Sequence, residues 1–253
     1  MSENKDITIK NTFTLALQSH QNKNFDVATK LYNEVLKLNP NFINALNNLG
    51  VICNLLKEYQ KAIYYYERAI KIDPNYSNAH FNLGIVFHTT KEYKKAKKSY
   101  ERAIEHNSKN INAYHNLGLL FKEIGEYQEA IYNLKKTIEL DSTHIEAHNN
   151  LGIMFHLTKE YSIAIDYYER AIKIDPKYVN AYSNLGNIFY DLNNYKKAIN
   201  YYEKAIEINP LQKRILINHG NSLLKLNEHI KGLMYISEGE GVIKFTPSYF
   251  KII

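Results

Sequence analysis

INALNNLGVICNLLKEYQKAIYYYERAIKIDPNY, residues 43–76, decides how the rest of the chain is read. Leu46, Leu49, Gly50 and Cys53 fall at helical spacing, and so do Tyr59, Ala62, Ile63, Tyr66 and Ala69. The polar Lys57-Glu58 pair separates the two runs, so the stretch reads as two helices joined by a short turn. Asp73-Pro74 ends the second helix, because proline disfavours helical geometry in the residue before it and cannot donate to the preceding turn.

The same pattern returns every 34 residues, with Leu-Gly pairs at 49–50, 83–84, 117–118, 151–152 and 185–186. Leu15-Ala16 is a looser copy upstream and His219-Gly220 one downstream. Ala28, Ala62, Ala96, Ala130, Ala164 and Ala198 form a second column at that interval, and Phe87, Phe121, Phe155 and Phe189 a third. Pro40, Pro176 and Pro210 repeat the stop at Pro74, while Ser108 and Ser142 replace it. A glycine inside a helix costs about 0.5–1 kcal/mol relative to alanine. Five in one register therefore point to close helix approach, with the alanine column opposite and aromatic side chains filling the gaps. The frame is six repeats, 9–42, 43–76, 77–110, 111–144, 145–178 and 179–212, then a degenerate capping repeat over 213–238. Residues 1–8 read as a disordered N-terminus. Gly239-Glu240-Gly241 is read as breaking the helix, and 239–253 as a hairpin-like tail of two short strands that must pack on something, the open end of the last repeat or a partner.

The period, the Leu-Gly pair, the aromatic before the Ala62 column, the aromatic at Tyr66 and the closing proline together resemble the tetratricopeptide repeat over residues 9–236. Ala16 in place of Gly, Thr137 in place of the small residue at Ala69 and Leu134 in place of the Tyr66 aromatic are departures. His219, His229 and Gly232 mark the weakened last repeat, as suits a capping unit. The resemblance implies an all-α, right-handed alpha-alpha superhelix, with the first helix of each pair lining a concave surface. It implies a scaffold for protein–protein interaction, and fold alone names no partner.

Two asparagine columns run along the first helices. One holds Asn48, Asn82, Asn116, Asn150, Asn184 and Asn218; the other, one turn earlier, holds Asn44, Asn78, Asn112 and Asn180, interrupted by Glu146. Asparagine is a mediocre helix former, so its recurrence needs a reason. A carboxamide offers two donors and an acceptor, matching the N–H and C=O of an extended peptide. Common descent of the repeats, or bonds to a neighbouring helix, would also account for the columns. The ladder resembles the asparagine row in the superhelix of O-linked N-acetylglucosamine transferase, without its catalytic domain. That likeness implies either a peptide-binding groove or the substrate-recognition arm of a glycosyltransferase system with catalysis on another chain. A further column, Val51, Ile85, Leu119 and Ile153, then Asn187 and Asn221, is a candidate groove floor or helix-to-helix packing. His20, Asn54, His88, Lys122, His156 and Tyr190 lie near the first-helix C-termini, placed to reach an acidic group or simply solvated.

The chemistry of an enzyme is missing. The sequence has no glycine-rich phosphate loop and no nucleophile-elbow serine, and its single cysteine, Cys53, supports neither a disulfide nor a cysteine-rich metal site. His144 and His148 stand four apart without the acidic residue a metalloprotease helix places between them. The expectation is a non-enzyme with no cofactor. Groove positions that would grip a chaperone's C-terminal carboxylate hold Asn, Phe81, His115 and Ser183, with only Lys10 and Arg214 basic. The net charge of +6 is mild, and 77–110 alone supplies 7 − 3 = +4 of it. Lys91, Lys94, Lys95, Lys97 and Lys98 fall largely on a second helix and read as a solvated convex face, so nucleic acid is not expected. With no secretory leader and no stretch of roughly 20 apolar residues, a cytoplasmic protein off the membrane is expected, bound to an unidentified protein or peptide. Self-association through the tail or the repeat ends is the remaining possibility.

Overall fold

The computed structural model describes residues 2–241, and beyond them the backbone of 243–246 and 249–252. The fold is an all-α solenoid of helix pairs, and fourteen helices are present among the described residues. In chain order they are α1 (Ser2–Gln21), α2 (Phe25–Leu38), α3 (Ile43–Leu55), α4 (Tyr59–Ile72), α5 (Ser77–Thr89), α6 (Tyr93–His106), α7 (Ile111–Glu123), α8 (Tyr127–Leu140), α9 (Ile145–Leu157), α10 (Tyr161–Ile174), α11 (Val179–Asp191), α12 (Tyr195–Ile208), α13 (Lys213–Lys225) and α14 (His229–Glu240). The chain forms two compact units, Met1–Glu126 with α1 to α7 and Tyr127–Ile253 with α8 to α14.

The 34-residue period is written into both kinds of turn. Inside a pair, the turn passes through a residue with positive φ: Lys23, Lys57, Lys91, Gly125, Lys159, Asn193 or Asn227. At Lys57 the N–H bonds back to the Asn54 carbonyl at 3.0 Å and the next N–H, of Glu58, to the Cys53 carbonyl at 2.8 Å, which satisfies the orphan carbonyls of a helix end. Between pairs, Asn39, Asp73, Asn107, Asp141, Asp175 and Asn209 each accept the N–H two residues on at 2.9–3.2 Å. This side-chain turn explains how Ser108 and Ser142 stand where proline stands elsewhere, since the preceding Asx residue holds the bend in both cases.

The glycine column packs differently from the sequence expectation. Ala28, Ala62 and Ala96 are fully buried in the first unit, as are Ala130, Ala164 and Ala198 in the second. Yet the tyrosine of the following helix fills the space beside four of these glycines. A Cβ on Gly50 would lie 2.5 Å from the Tyr66 ring, on Gly84 2.6 Å from Tyr100 and on Gly152 2.5 Å from Tyr168; Gly186 faces Tyr202 in the same way. These tyrosines are at most 1% exposed, so these four pairs are built around a ring lying on a bare helix backbone. Burying a large side chain contributes about 1.5–3 kcal/mol, and the missing Cβ is what admits it.

Two boundaries differ from the sequence reading. The first helix begins at Ser2, where a disordered N-terminus over 1–8 was expected. Ile9, two turns on, is buried. At the other end α14 runs on through Gly239 and Glu240 and stops at Gly241, whose φ of +75° makes it a left-handed cap. Gly239 breaks nothing: it is buried, and a Cβ there would lie 2.7 Å from the Lys213 carbonyl oxygen. The turn and the packing of the expected hairpin-like tail fall on residues outside the described ones.

Candidate functional site

First helices lie against first helices. In the first unit α3 touches α5 and α5 touches α7; in the second α9 touches α11 and α11 touches α13. The later asparagine column runs along these contacts and is partly used by them. Asn82 Nδ2 donates to Asn47 Oδ1 of the preceding first helix at 2.9 Å, and Asn184 Nδ2 donates to Asn149 Oδ1 at the same distance. Asn218 Nδ2 donates to Asn187 Oδ1 at 3.0 Å, and Asn48 Nδ2 to the Tyr32 hydroxyl at 3.2 Å. Asn150 is buried, at 8% exposure, while Asn116 is half-buried. Bonding a neighbouring helix is therefore part of what this column does. The earlier column is different: Asn44, Asn78, Asn112 and Asn180 are exposed. Asn44 Oδ1 accepts from the Tyr76 hydroxyl at 3.0 Å, and Asn180 bonds the Tyr178 side chain.

The partners of the later column include residues that repeat periodicity alone does not pick out. Tyr32 and Tyr202 sit inside their pairs with only their hydroxyls reaching the first-helix face, where Tyr202 donates to Asn187 Oδ1 at 2.8 Å. Burial pushes the hydroxyls of Tyr66, Tyr100, Tyr168 and Tyr202 far up, so they stay protonated at ordinary pH. The candidate floor residues Val51, Ile85, Leu119 and Ile153 are half-buried, and so are Asn187 and Asn221.

The column near the first-helix C-termini does reach acidic groups, and two of its histidines find them within the chain. His88 Nε2 is 2.9 Å from Glu123 Oε2, and His156 Nε2 is 2.8 Å from Asp191 Oδ2. Each carboxylate stands 35 residues on, at the end of the next first helix, an offset readable in the sequence once one asks which residue follows in space. Glu123 also accepts from the Tyr93 hydroxyl at 2.6 Å, and the bonds from Tyr93 and His88 hold its carboxyl below the usual range. Burial lowers the His20 imidazole.

In the second unit these elements enclose a polar cavity of about 320 Å³. His156, Asp191, Arg214, Asn187, Asn218 and Tyr190 are among the residues that line it. The lining offers hydrogen-bond donors and acceptors and a guanidinium. Among the described residues no group of three His, Cys, Asp or Glu side chains is placed to hold a metal ion, and no helix is long and apolar enough to cross a membrane. His144 caps its helix, its Nδ1 accepting the Ala147 N–H at 3.2 Å, and His148 Nε2 lies 3.0 Å from the Ser142 carbonyl.

Comparison with known proteins agrees with this architecture. Models of the tetratricopeptide repeat match residues 42–109, 99–132, 120–159, 145–178 and 179–210. No curated protein sequence matches the chain. Among solved structures, YrrB, described as a tetratricopeptide protein with an unusual peptide-binding site, superposes with a TM-score of 0.62 at 22% identity, over 73% of this chain and 95% of that one. MamA superposes with a TM-score of 0.61 at 26% identity, over 64% of this chain and 95% of its own. A tetratricopeptide repeat protein from Parabacteroides merdae reaches 0.70 at 16% identity, over 92% and 93% of the two chains.

Proposed function

The chain belongs to the tetratricopeptide repeat family, and from that premise we propose that each of its two units holds an extended segment of a partner protein along its own first-helix face. Proteins of this family are generally non-catalytic scaffolds for protein–protein interaction. The observation that carries the finer reading is the division of labour between the asparagine columns. Asn82, Asn184 and Asn218 each give one N–H to a neighbouring first helix, which fixes how the carboxamide is turned. One N–H and the carbonyl remain in each for a guest's main chain. The exposed Asn78 and Asn112 then supply contacts that no fold requirement explains, and Asn180, which bonds Tyr178, keeps further donor and acceptor capacity. In the second unit the polar cavity beside Asn218 gives the segment somewhere to seat a side chain. YrrB's peptide-binding site is a property of that protein, and a precedent for this architecture. In the same reading the tail covers the open end of the last pair, with Ile243–Thr246 paired antiparallel to Tyr249–Ile252. A recognition arm for a glycosyltransferase would use the same columns and has no separate observation in its favour.

The test is an array of unstructured peptides probed with wild-type protein and two variants. Asn78→Ala/Asn112→Ala/Asn180→Ala is expected to keep its helicity and melting temperature and to lose most of the array signal. Asn82→Ala/Asn184→Ala is expected to lower the melting temperature, since each loses a bond worth about 0.5–1.5 kcal/mol. Undiminished peptide binding by the first variant would refute the clamp.

A further inference from the structure

In the first unit, the third repeat has no ring at a register where the second, fifth and sixth carry Tyr65, Tyr167 and Tyr201. In the second unit Tyr167 stacks on Phe155 with the rings 5.5 Å apart and 2° from parallel, and Tyr201 stacks on Phe189 at 5.3 Å and 2°. The residues at the same register in the third repeat are Phe87 and Ser99. The phenylalanine is kept, and the tyrosine has become a serine.

The consequence is measurable in space. Around Tyr201 a groove of about 230 Å³ is lined by Lys197, Asn200, Tyr201 and Lys204. The groove lined by Lys95, Lys98, Ser99 and Arg102, the same four positions 102 residues earlier, holds about 480 Å³. Its other walls are Ile70, Leu83 and Phe87, with Glu67 and His80 at the edge. Tyr201 stacks on Phe189, which corresponds in register to Phe87, so its ring occupies the place left open here. Lys95 does not take over that place. Its Nζ lies 5.1 Å from the Phe87 ring centre, and Lys197 lies 5.1 Å from that of Phe189 with the stacked tyrosine present as well. Phe87 is mostly covered, so the room lies beside it, between α4 and α6, and its floor is apolar.

The rim decides what kind of ring enters. Lys71, Lys95, Lys98 and Arg102 surround the groove, against one carboxylate, Glu67. Lys95 and Arg102 each bond a glutamate one turn away, Glu92 and Glu105, but these pairs are solvent-exposed and worth little, so a guest carboxylate can replace them. We infer that the groove between α4 and α6 docks an aromatic side chain of an acidic partner segment, the guest ring taking the position that Tyr167 and Tyr201 take in their own repeats. A buried aromatic anchor with a charged surround is the usual composition of an interface hot spot. The lysine-rich stretch of α6 thereby acquires a function beyond solvation.

An acetylated, amidated, fluorophore-labelled heptapeptide, Glu-Asp-Glu-Phe-Glu-Asp-Glu, is the probe, read by fluorescence anisotropy. Its counterpart with Ala for Phe and vesicles of anionic phospholipid are the comparisons. Saturable binding is expected, weakened about tenfold or more by the Phe-to-Ala change. Ser99→Tyr restores the internal ring at a register where this chain already carries Tyr65, Tyr167 and Tyr201, and should abolish binding with helicity intact. Lys71→Glu/Lys98→Glu alters two exposed side chains and should do the same whatever happens to Ser99→Tyr. Equal binding of the two peptides, undiminished binding by Ser99→Tyr or by Lys71→Glu/Lys98→Glu, or binding to the vesicles without binding to the peptide would each overturn the inference.

Discussion

Gly50, in the pair formed by α3 and α4, faces the ring of Tyr66, whereas Gly220, in the pair formed by α13 and α14, faces the backbone of Gly232. A Cβ on Gly220 would lie 2.5 Å from the Gly232 carbonyl oxygen, and one on Gly232 would lie 2.8 Å from the Gly220 carbonyl oxygen. The earlier pair uses the missing side chain to admit a large ring; the last uses it to bring two helices into direct contact. The last pair also replaces the buried leucine of the Leu-Gly motif with His219, which is 1% exposed and packs edge-on against Tyr235 at 4.3 Å. Its ring nitrogens have no hydrogen-bond partner, and the nearest carboxylate, of Glu203, stands 3.8 Å off. One helical hairpin sequence thus gives a ring-filled pair that can adjust and a backbone-packed pair that cannot, the latter carrying a buried base.

The ring-filled pairs should be the most sensitive to loss of volume. Tyr168→Ala is expected to destabilise the second unit by about 3–5 kcal/mol, the range for removing a buried aromatic, measured by denaturant unfolding. Tyr168→Phe sharpens the point: the Tyr168 hydroxyl has no partner, so its removal should be neutral or stabilising. Tyr202→Phe loses the bond to Asn187 and should cost about 1 kcal/mol.

Next in size is the response of the last pair to acid. Burial pushes His219 down to about 4 from 6.5, against a smaller upward pull from Glu228. The unfolded chain therefore binds a proton that the folded one refuses between those two values. Stability should fall as the pH drops from about 6.5 to about 4, by on the order of 3 kcal/mol in all. His219→Leu restores the residue of the other pairs and should flatten that part of the profile. An unchanged slope in the variant would show that other groups govern the acid response.

Smaller still are the backbone effects. Gly232→Ala must push a carbonyl rather than a ring and should cost about 1–3 kcal/mol, seen as early melting of α13 and α14 by hydrogen exchange. Lys57→Gly relieves a positive φ and should gain a few tenths of a kcal/mol; a loss would mean that the lysine side chain contributes more than its strained backbone costs.

Most of the fold was legible because the repeat interval forces the same contacts again and again. The helix pairs, their order and the small columns all follow from the Leu-Gly and alanine registers. What filled the glycine notch was misread, because a helical projection places Ala62 and Tyr66 on one face without saying which reaches farther. The ends were misread for a related reason: Gly239 looks like a breaker in sequence and acts as a contact in space, with the Lys213 carbonyl against it. The candidate site was legible in its residue types and only half legible in their roles. Nothing local distinguishes Asn82, which bonds Asn47, from Asn78, which is exposed; the distinction depends on the neighbouring first helix. The Ser99 groove was invisible for the opposite reason, since it appears only when one repeat is compared with another.

The most direct test of the binding account is hydrogen–deuterium exchange of the whole chain, free and saturated with a peptide selected from the array. Slowed exchange in the first helices α3, α5 and α7, or α9, α11 and α13, with α4 and α6 unchanged, is the predicted result. Protection confined to second helices, with the first-helix faces exchanging as in the free protein, would contradict it.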